Sequence, residues 1–195
     1  MIRLFTALCK AFLRELNDEQ LFHEATDEYI HHGKGCPRCG AVGKLTQIKG
    51  YPRSLTCCAG GKPVDSKVKI KRFLCGSCKG THALLPDTLV PYSIYSLQFK
   101  LEAIIAYGER NATVVKICEA FDIAVSTLYE WKKLMEEHKD LMLGVLISQK
   151  SPNPGFLQGL LGSSQLSATL GSFFSKHGFS FMQGVRAKAT RSVPP

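Results

Sequence analysis

Two pairs of cysteines constrain the fold of this chain more than any other feature. Each pair has the spacing C-x-x-C, and 35 residues separate the first pair from the second. This spacing lets two thiolates on one tight turn reach the same metal ion, and two such turns supply the ligands of a closed, tetrahedral zinc site. We therefore predict a structural Zn²⁺ cofactor whose four ligands are Cys36, Cys39, Cys75 and Cys78.

The segment between the two pairs predicts short antiparallel strands. Residues 44–49 and 53–57 are strand candidates, and residues 66–74 (SKVKIKRFL) alternate polar and apolar side chains with a period of two. Two metal-binding turns joined by a small antiparallel sheet form a zinc ribbon, which we place at residues 34–92.

Other readings of the cysteines have less support. A thioredoxin-type redox pair needs a βαβ pattern, which the sequence lacks, and a disulfide framework needs a secreted chain. Cys57, Cys58 and His82 lie near the metal-binding turns and are alternative ligands. We expect the two cysteines to be small buried thiols, and His82 to be hydrogen-bonded beside the metal.

The net charge of +9 is concentrated on the predicted ribbon, because residues 36–95 alone carry a net charge of +8. In the third strand, Lys67, Lys69 and Lys71 would project from one face, while Val68 and Ile70 pack inward. Such a basic face predicts a polyanionic partner, most simply double-stranded DNA, and the alternative is a solvated strand face.

Residues 113–135 predict a helix-turn-helix. Apolar residues with helical spacing lie on both sides of a short break at residues 122–124, and Ile123 would plug the turn. Asp122 stands where glycine is usual, and Ala124 stands where a serine or threonine cap is usual. The alternative is a three-helix bundle for protein contacts, which the net charge of −2 over residues 96–140 favours.

The second helix of this motif would carry the DNA contacts. Its serine and threonine side chains are suited to bases or phosphates, its lysines to phosphates, and its glutamate to cytosine or a neighbouring lysine. The predicted DNA-binding residues of this helix are Val125, Ser126, Thr127, Tyr129, Glu130, Lys132 and Lys133.

The remaining segments complete an α+β chain. Residues 1–33 predict two amphipathic helices, the first over residues 2–16 with Leu4 on its apolar face. Residues 84–92 predict an extended connector, and a helix starting at Ser93 or Ser96 and ending at Gly108 opens the helix-turn-helix domain at residues 93–140. Residues 141–195 predict a linker and a loosely packed helical, basic tail, with a helix over residues 156–174.

Several functional classes are excluded by composition. There is no run of 18 or more apolar residues, so we expect no membrane span. No cleavage site marks a signal peptide, and eight cysteines then indicate a reducing, cytoplasmic location, with DNA binding placing the chain at the nucleoid. The last acidic residue is Asp140, so no carboxylate-bearing catalytic domain follows the helix-turn-helix, and we expect no enzymatic activity.

The two motifs together resemble a known family. The strings C-P-R-C and K-R-F-L-C-G-S-C-K-G-T-H-A-L-L-P, followed by L-V-P-Y and the helix-turn-helix, resemble an uncharacterised bacterial domain of unknown function that is associated with mobile elements and often labelled transposase-like. The segment FDIAVSTLYEWKK also resembles helix-turn-helix sequences of transposases and resolvase-like proteins. The resemblance implies zinc at the four cysteines and DNA binding through residues 113–135, and no established reaction.

We therefore expect a sequence-specific DNA-binding protein of transposase-like type that lacks its own catalytic domain. Its partners would be double-stranded DNA, a separate transposase or recombinase polypeptide, and a second copy of the chain. The alternatives are a transcriptional regulator, a protein-docking adaptor, and an RNA-binding ribbon that uses Tyr51 and Phe73 as stacking platforms.

Overall fold

The fold is mixed α+β, as the sequence predicts. The computed structural model describes residues 2–4, 35–59, 61–86, 89–143 and 166–184, and of residues 2–4 it describes the backbone alone. In this part of the chain, three antiparallel strands and four helices form the framework. The predicted N-terminal helices fall almost entirely on residues 5–34, which lie outside the described residues.

A long β-hairpin dominates the sheet. The strands are β1 (Ile2–Leu4), β2 (Leu45–Ala59), β3 (Lys62–Cys75) and β4 (Thr81–Pro86), in the spatial order β1-β4-β3-β2. The two predicted strands at 44–49 and 53–57 are one strand, β2, with a bulge between Ile48 and Tyr51. Gly50 permits the bulge, since a Cβ there would lie 2.3 Å from the carbonyl oxygen of Ile70.

Two predictions around the sheet edge are wrong. Residues 84–86 were expected in an extended connector, but they complete β4, which pairs antiparallel with β3. Leu4 was expected in a helix, but β1 runs parallel to β4, with Ile2 opposite Leu84. The physical reason is the same for both: a strand in register satisfies backbone N–H and C=O groups that a free edge of β3 or β4 would leave unpaired.

The helices follow the sheet in order: α1 (Leu97–Glu109), α2 (Val114–Phe121), α3 (Val125–Leu143) and α4 (Leu166–His177). Ser96 begins α1 because its Oγ accepts a hydrogen bond of 3.1 Å from the backbone N–H of Phe99. The prediction that Gly108 ends this helix is wrong by one residue, since α1 continues to Glu109 and Arg110 adopts the left-handed conformation with φ 56°.

The connection between α2 and α3 uses an aspartate in place of glycine. Asp122 is left-handed, with φ 48° and ψ 52°. The N–H of Asp122 donates to Glu119 O at 3.3 Å, and that of Ile123 donates to Cys118 O at 3.0 Å, which is the hydrogen-bond pattern of a Schellman motif. At the start of α3 the backbone carbonyl of Ala124 accepts hydrogen bonds from the N–H groups three and four residues later.

The C-terminal segment is packed, not loose. In the described part of it, Leu166, Leu170 and Phe173 of α4 are buried, as are Phe181 and Met182 beyond the helix. All five belong to the apolar core that also contains the inner faces of α1, α2 and α3. The prediction of a loosely packed helical tail is therefore wrong for residues 166–184, because large aromatic side chains complete the helical core there.

The hairpin connects this helical core to the cysteine turns. Near the β2–β3 turn, the N–H of Thr56 donates to Ile94 O at 2.7 Å, and the N–H of Ser96 donates to Thr56 O at 3.0 Å. At the opposite end, Leu45 pairs with Cys75. The cysteine turns therefore lie at one end of the hairpin and the helices at the other. No helix among the residues described here is both long and apolar enough to cross a membrane.

Candidate metal centre and its surroundings

The four predicted cysteine ligands come together at the end of the hairpin. The Sγ atoms of Cys36, Cys39, Cys75 and Cys78 all lie within 4.8 Å of one another. Two of the distances are 3.7 Å, from Cys36 to Cys78 and from Cys39 to Cys75. A regular tetrahedron of thiolates at the usual zinc–sulfur distance has edges of about 3.8 Å, whereas a disulfide needs about 2.05 Å. The arrangement therefore fits a tetrahedral metal and not a disulfide.

The two cysteine turns share one backbone geometry. In the first turn the N–H of Gly40 donates to Cys36 O at 2.8 Å, and in the second the N–H of Lys79 donates to Cys75 O at 2.9 Å. The residue at this position is left-handed in both turns, with φ 73° at Gly40 and φ 55° at Lys79. Each turn thus curls its pair of thiols toward the same point.

Backbone hydrogen bonds and the neighbouring thiols shift the pKa values of the cysteines in opposite directions. The N–H of Cys78, together with that of Ser77, outweighs burial and lowers the pKa of Cys75 to about 6. At Cys39 the N–H of Ala41 favours the thiolate, but burial and the three neighbouring thiols outweigh it and raise the pKa to about 11. Because Cys39 keeps its proton at neutral pH, a metal ion must displace that proton, and metal affinity falls as the solution becomes more acidic.

His82 supports the cluster from the side. It is buried on β4, and its Nε2 lies 3.2 Å from Cys36 Sγ. Burial, together with the charge of Arg38, lowers its pKa, so that the ring is neutral at pH 7. A neutral ring protonated on Nε2 donates to the thiolate and orients it. The prediction of a histidine hydrogen-bonded beside the site is confirmed.

Two glycines that sequence reasoning missed make room for the cluster. A Cβ on Gly80 would lie 3.2 Å from Cys78 Sγ and 3.4 Å from His82 Nε2. A Cβ on Gly35 would lie 2.4 Å from the carbonyl oxygen of Gly40, which the first turn holds in place. The only sequence signal for either role is the position of the glycine immediately beside a cysteine turn.

Substitution of Gly35 is expected to weaken the metal centre. Gly35→Ala forces the backbone of the first turn apart, and overpacking of this kind costs about 1–3 kcal/mol. Competition with a chromogenic chelator should show faster and more complete metal loss than in the parent protein. Gly76→Ala is the matched control in the second turn, since its Cβ would meet Lys44 O at an ordinary 3.5 Å. Equal metal retention by both variants would contradict this account of Gly35.

Cys57 and Cys58 do not join the cluster. They lie on β2 near the other end of the hairpin, opposite Val64 and Pro63. Burial raises the pKa of both thiols, and with the neighbouring Glu102 it raises that of Cys58 to about 12. Both are therefore protonated thiols outside the cluster, as predicted, but they are half-buried where the sequence predicts buried side chains.

On β3 the predicted lysine face is exposed at Lys67 and Lys69 and half-buried at Lys71. Val68 and Ile70 are buried on the other face, as predicted. Phe73 was expected as an exposed stacking platform in the RNA-binding alternative, and this is wrong because the ring is fully buried. Tyr51, the other expected platform, is exposed.

On α3 the predicted DNA-binding residues do not share one environment. Five are exposed and two, Thr127 and Lys132, are half-buried. Lys132 lies 5.4 Å from the ring centroid of Tyr107 and forms an ion pair with the carboxylate one turn later, as does Lys133. The five exposed residues are Val125, Ser126, Tyr129, Glu130 and Lys133.

Comparison with known proteins adds one finding. Residues 36–131 match the model of a family described as "Domain of unknown function (DUF6431)". The match begins at Cys36 and ends at Trp131, so it covers both cysteine turns, strands β2 to β4, helices α1 and α2, and the first turns of α3. No curated protein and no solved structure shows significant similarity to the chain. The resemblance to a domain of unknown function is confirmed for these residues, and the association with mobile elements stays a prediction.

Proposed function

We propose that this chain is a sequence-specific, double-stranded-DNA-binding protein of transposase-like type, a recognition component without a catalytic domain of its own. The observation that carries the proposal is the arrangement of α2 and α3. A three-residue connection joins them, and the buried Ile123 fills the corner between them. In a helix-turn-helix, the second helix places its exposed side chains in the major groove of DNA.

The α3 side chains best suited to this role are Ser126, Tyr129 and Lys133, which are exposed. They lie three or four residues apart and therefore on one face of the helix. Ser126 and Tyr129 bear hydroxyl groups for base edges or phosphates, and Lys133 bears an ammonium group for phosphates.

The metal in this proposal is a structural Zn²⁺ ion. Four thiols at tetrahedral spacing are the ligand set of a closed zinc site, and soft thiolates exclude the oxygen-preferring Mg²⁺ and Ca²⁺. All four positions are filled by protein, which leaves none for water or substrate. The ion would fix the hairpin end as a zinc ribbon, and the exposed Lys67 and Lys69 would bind phosphates from the hairpin's middle.

Selection from a random duplex library tests the proposal. The zinc-loaded chain should enrich a defined sequence over several rounds, because α3 reads base edges. Ser126→Ala combined with Tyr129→Ala should reduce the preference for that sequence over random DNA, and the salt dependence should stay nearly unchanged. Asp140→Asn, at an exposed position near the other end of α3, is the control. A library that remains random after selection would refute sequence-specific DNA binding.

The lysine face makes a separate contribution that salt titration measures. Replacing Lys67, Lys69 and Lys71 with Gln should weaken binding to all duplexes and flatten the slope of log K against log salt by about 0.9 for each phosphate that is no longer neutralised. Fluorescence anisotropy with a random duplex at several salt concentrations gives both numbers. If the triple variant binds as tightly as the parent at low salt, these lysines only keep the strand face solvated.

The proposal assigns no catalytic residue, and strand transfer would come from a separate transposase or recombinase polypeptide. A second copy of the chain is the expected partner on a palindromic site. A transcriptional regulator would use the same DNA contacts. This alternative is favoured if the enriched sequence occurs at promoters and not at the ends of mobile elements. The corresponding location is the nucleoid of a bacterial cytoplasm.

A further inference from the structure

A cleft of about 420 Å³ lies between α3 and the loop at residues 91–95. Its volume is within the range of small-molecule sites. Aromatic and charged side chains share its lining: Tyr92, Tyr95, Lys100, Glu130 and Trp131. None of these residues belongs to the metal centre or is one of the three side chains proposed above for duplex contacts, although Glu130 is among the residues predicted from the sequence to bind DNA.

Lys100 is a buried cation with unused hydrogen-bonding capacity. Its side chain is 4% exposed, and its Nζ donates to Met182 O at 3.3 Å and lies 5.5 Å from the centroid of the Trp131 ring. An ammonium group has three N–H donors, so two have no hydrogen-bond partner in the part of the chain that is described. Burial lowers the pKa of Lys100 to about 8, which leaves most of it protonated at pH 7.

Glu130 supplies the opposite polarity in the same cleft. Its carboxylate influences Lys100 electrostatically but does not approach it closely enough for an ion pair. Among the described residues, none donates a hydrogen bond to the carboxylate of Glu130, whereas Glu136 and Glu137 on the same helix form ion pairs with lysines. The cleft therefore presents a hydrogen-bond donor at Lys100 and an acceptor at Glu130, and the open volume of the cleft lies beside both groups.

Tyr92 has a left-handed backbone conformation that is unfavourable for any residue other than glycine. The N–H of Ser93 donates to Val90 O at 3.3 Å, and Tyr92 sits in this turn with φ 61°, where glycine is usual. Its side chain is 70% exposed. The Arg53 guanidinium stabilises the turn by donating to the carbonyls of Val90, at 2.6 Å, and Ser93. Strained backbone conformations of this kind are common at ligand sites. Here the strained residue, Tyr92, places its aromatic ring at the cleft.

We propose that this cleft binds guanine, whose base edge carries a carbonyl, a ring N–H and an amino group in a row, so that the ring N–H and the amino group can both donate to one carboxylate. The aromatic lining suits a flat heterocycle, the carbonyl oxygen accepts from Lys100, and the adjacent ring N–H donates to Glu130. Adenine lacks both groups. The base belongs either to a free nucleoside or to an unpaired strand, and the inference is independent of duplex reading by α3.

Trp131 reports binding directly, because it is the single tryptophan of the chain. Titration of the zinc-loaded protein with guanosine should change its emission saturably. Adenosine, and N1-methylguanosine, which keeps the carbonyl but lacks the ring N–H, should bind at least about tenfold more weakly, since each leaves a charged partner unsatisfied. Equal affinity for guanosine and adenosine, or no saturable change at millimolar guanosine, would overturn the proposal.

Oligonucleotides distinguish the two sources of the base. A short single strand with one central guanine is compared with the same strand carrying adenine there. Tighter binding of the guanine strand than of guanosine assigns the cleft to unpaired nucleic acid, and tighter binding of guanosine assigns it to a free ligand. A strand that binds equally well with either base, together with guanosine that does not bind, would count against the cleft.

Variants link the signal to the cleft. Lys100→Met and Glu130→Gln should each weaken guanosine binding at least about tenfold, and Glu137→Gln is the control on α3. Circular dichroism and zinc content check folding. If Lys100→Met does not fold, Glu130→Gln decides, because Glu130 is exposed and its replacement leaves the core intact. Unchanged affinity in Glu130→Gln would refute the assignment, whatever the duplex selection shows.

Discussion

Cys36→Ser combined with Cys75→Ser should abolish metal binding and unfold the hairpin end of the sheet. The double variant removes one thiolate from each turn and leaves two, which cannot complete a tetrahedral site. A structural zinc ion contributes on the order of 10–16 kcal/mol of apparent binding free energy. This is comparable with or larger than the total stability of a domain, about 5–15 kcal/mol, so packing at the hairpin end cannot compensate for the lost metal.

Metal analysis and hydrogen exchange measure the two parts of this result. The parent should contain one zinc per chain and the variant none, and the amides at the Leu45–Cys75 end of the hairpin should lose protection. Cys57→Ser combined with Cys118→Ser is the matched control, because both thiols lie outside the cluster. A metal-free double variant with the protection pattern of the parent would show that packing alone maintains this end of the sheet.

The metal cluster was predictable because its information is local. Each C-x-x-C pair shapes its own turn. The first turn precedes β2 and the second follows β3, so the antiparallel pairing of these two strands brings the turns together. The inward orientation of Val68 and Ile70 follows from the same short-range alternation. The length of β2 could not be predicted in this way, because the sequence around Gly50 indicates a break between two strands. The structure accommodates that glycine as a bulge within one continuous strand.

Long-range packing explains what the sequence could not predict. The pairing of Ile2–Leu4 with β4 joins residues about eighty positions apart, and Leu4 also fits the helical spacing of Leu8 and Phe12. The packing of Phe173 and Met182 into the core likewise depends on helices far away in the chain. The cleft was missed for the same reason, since Lys100 and Glu130 line one cleft only once α1 and α3 are packed together.

The other large effect is expected in the helical core, at Phe99. Its ring is fully buried on α1 and stacks on Tyr95 with centroids 5.4 Å apart. It also packs edge-to-face against Phe121 of α2 at 5.5 Å and Trp131 of α3 at 6.1 Å. One side chain therefore joins three helices. Phe99→Ala should lower the free energy of unfolding by about 3–5 kcal/mol, because it removes these ring contacts and leaves a cavity.

Urea unfolding followed by circular dichroism measures this destabilisation. Val115 on α2 is exposed, so Val115→Ala is the control, and its free energy of unfolding should stay within about 0.5 kcal/mol of the parent value. Zinc should remain bound to Phe99→Ala, because the cysteine cluster lies at the other end of the hairpin. Under the proposed DNA-binding function, selection with this variant should show no sequence preference, since α3 no longer has a fixed orientation relative to α2. A variant whose free energy of unfolding stays within about 1 kcal/mol of the parent would contradict the central role of Phe99.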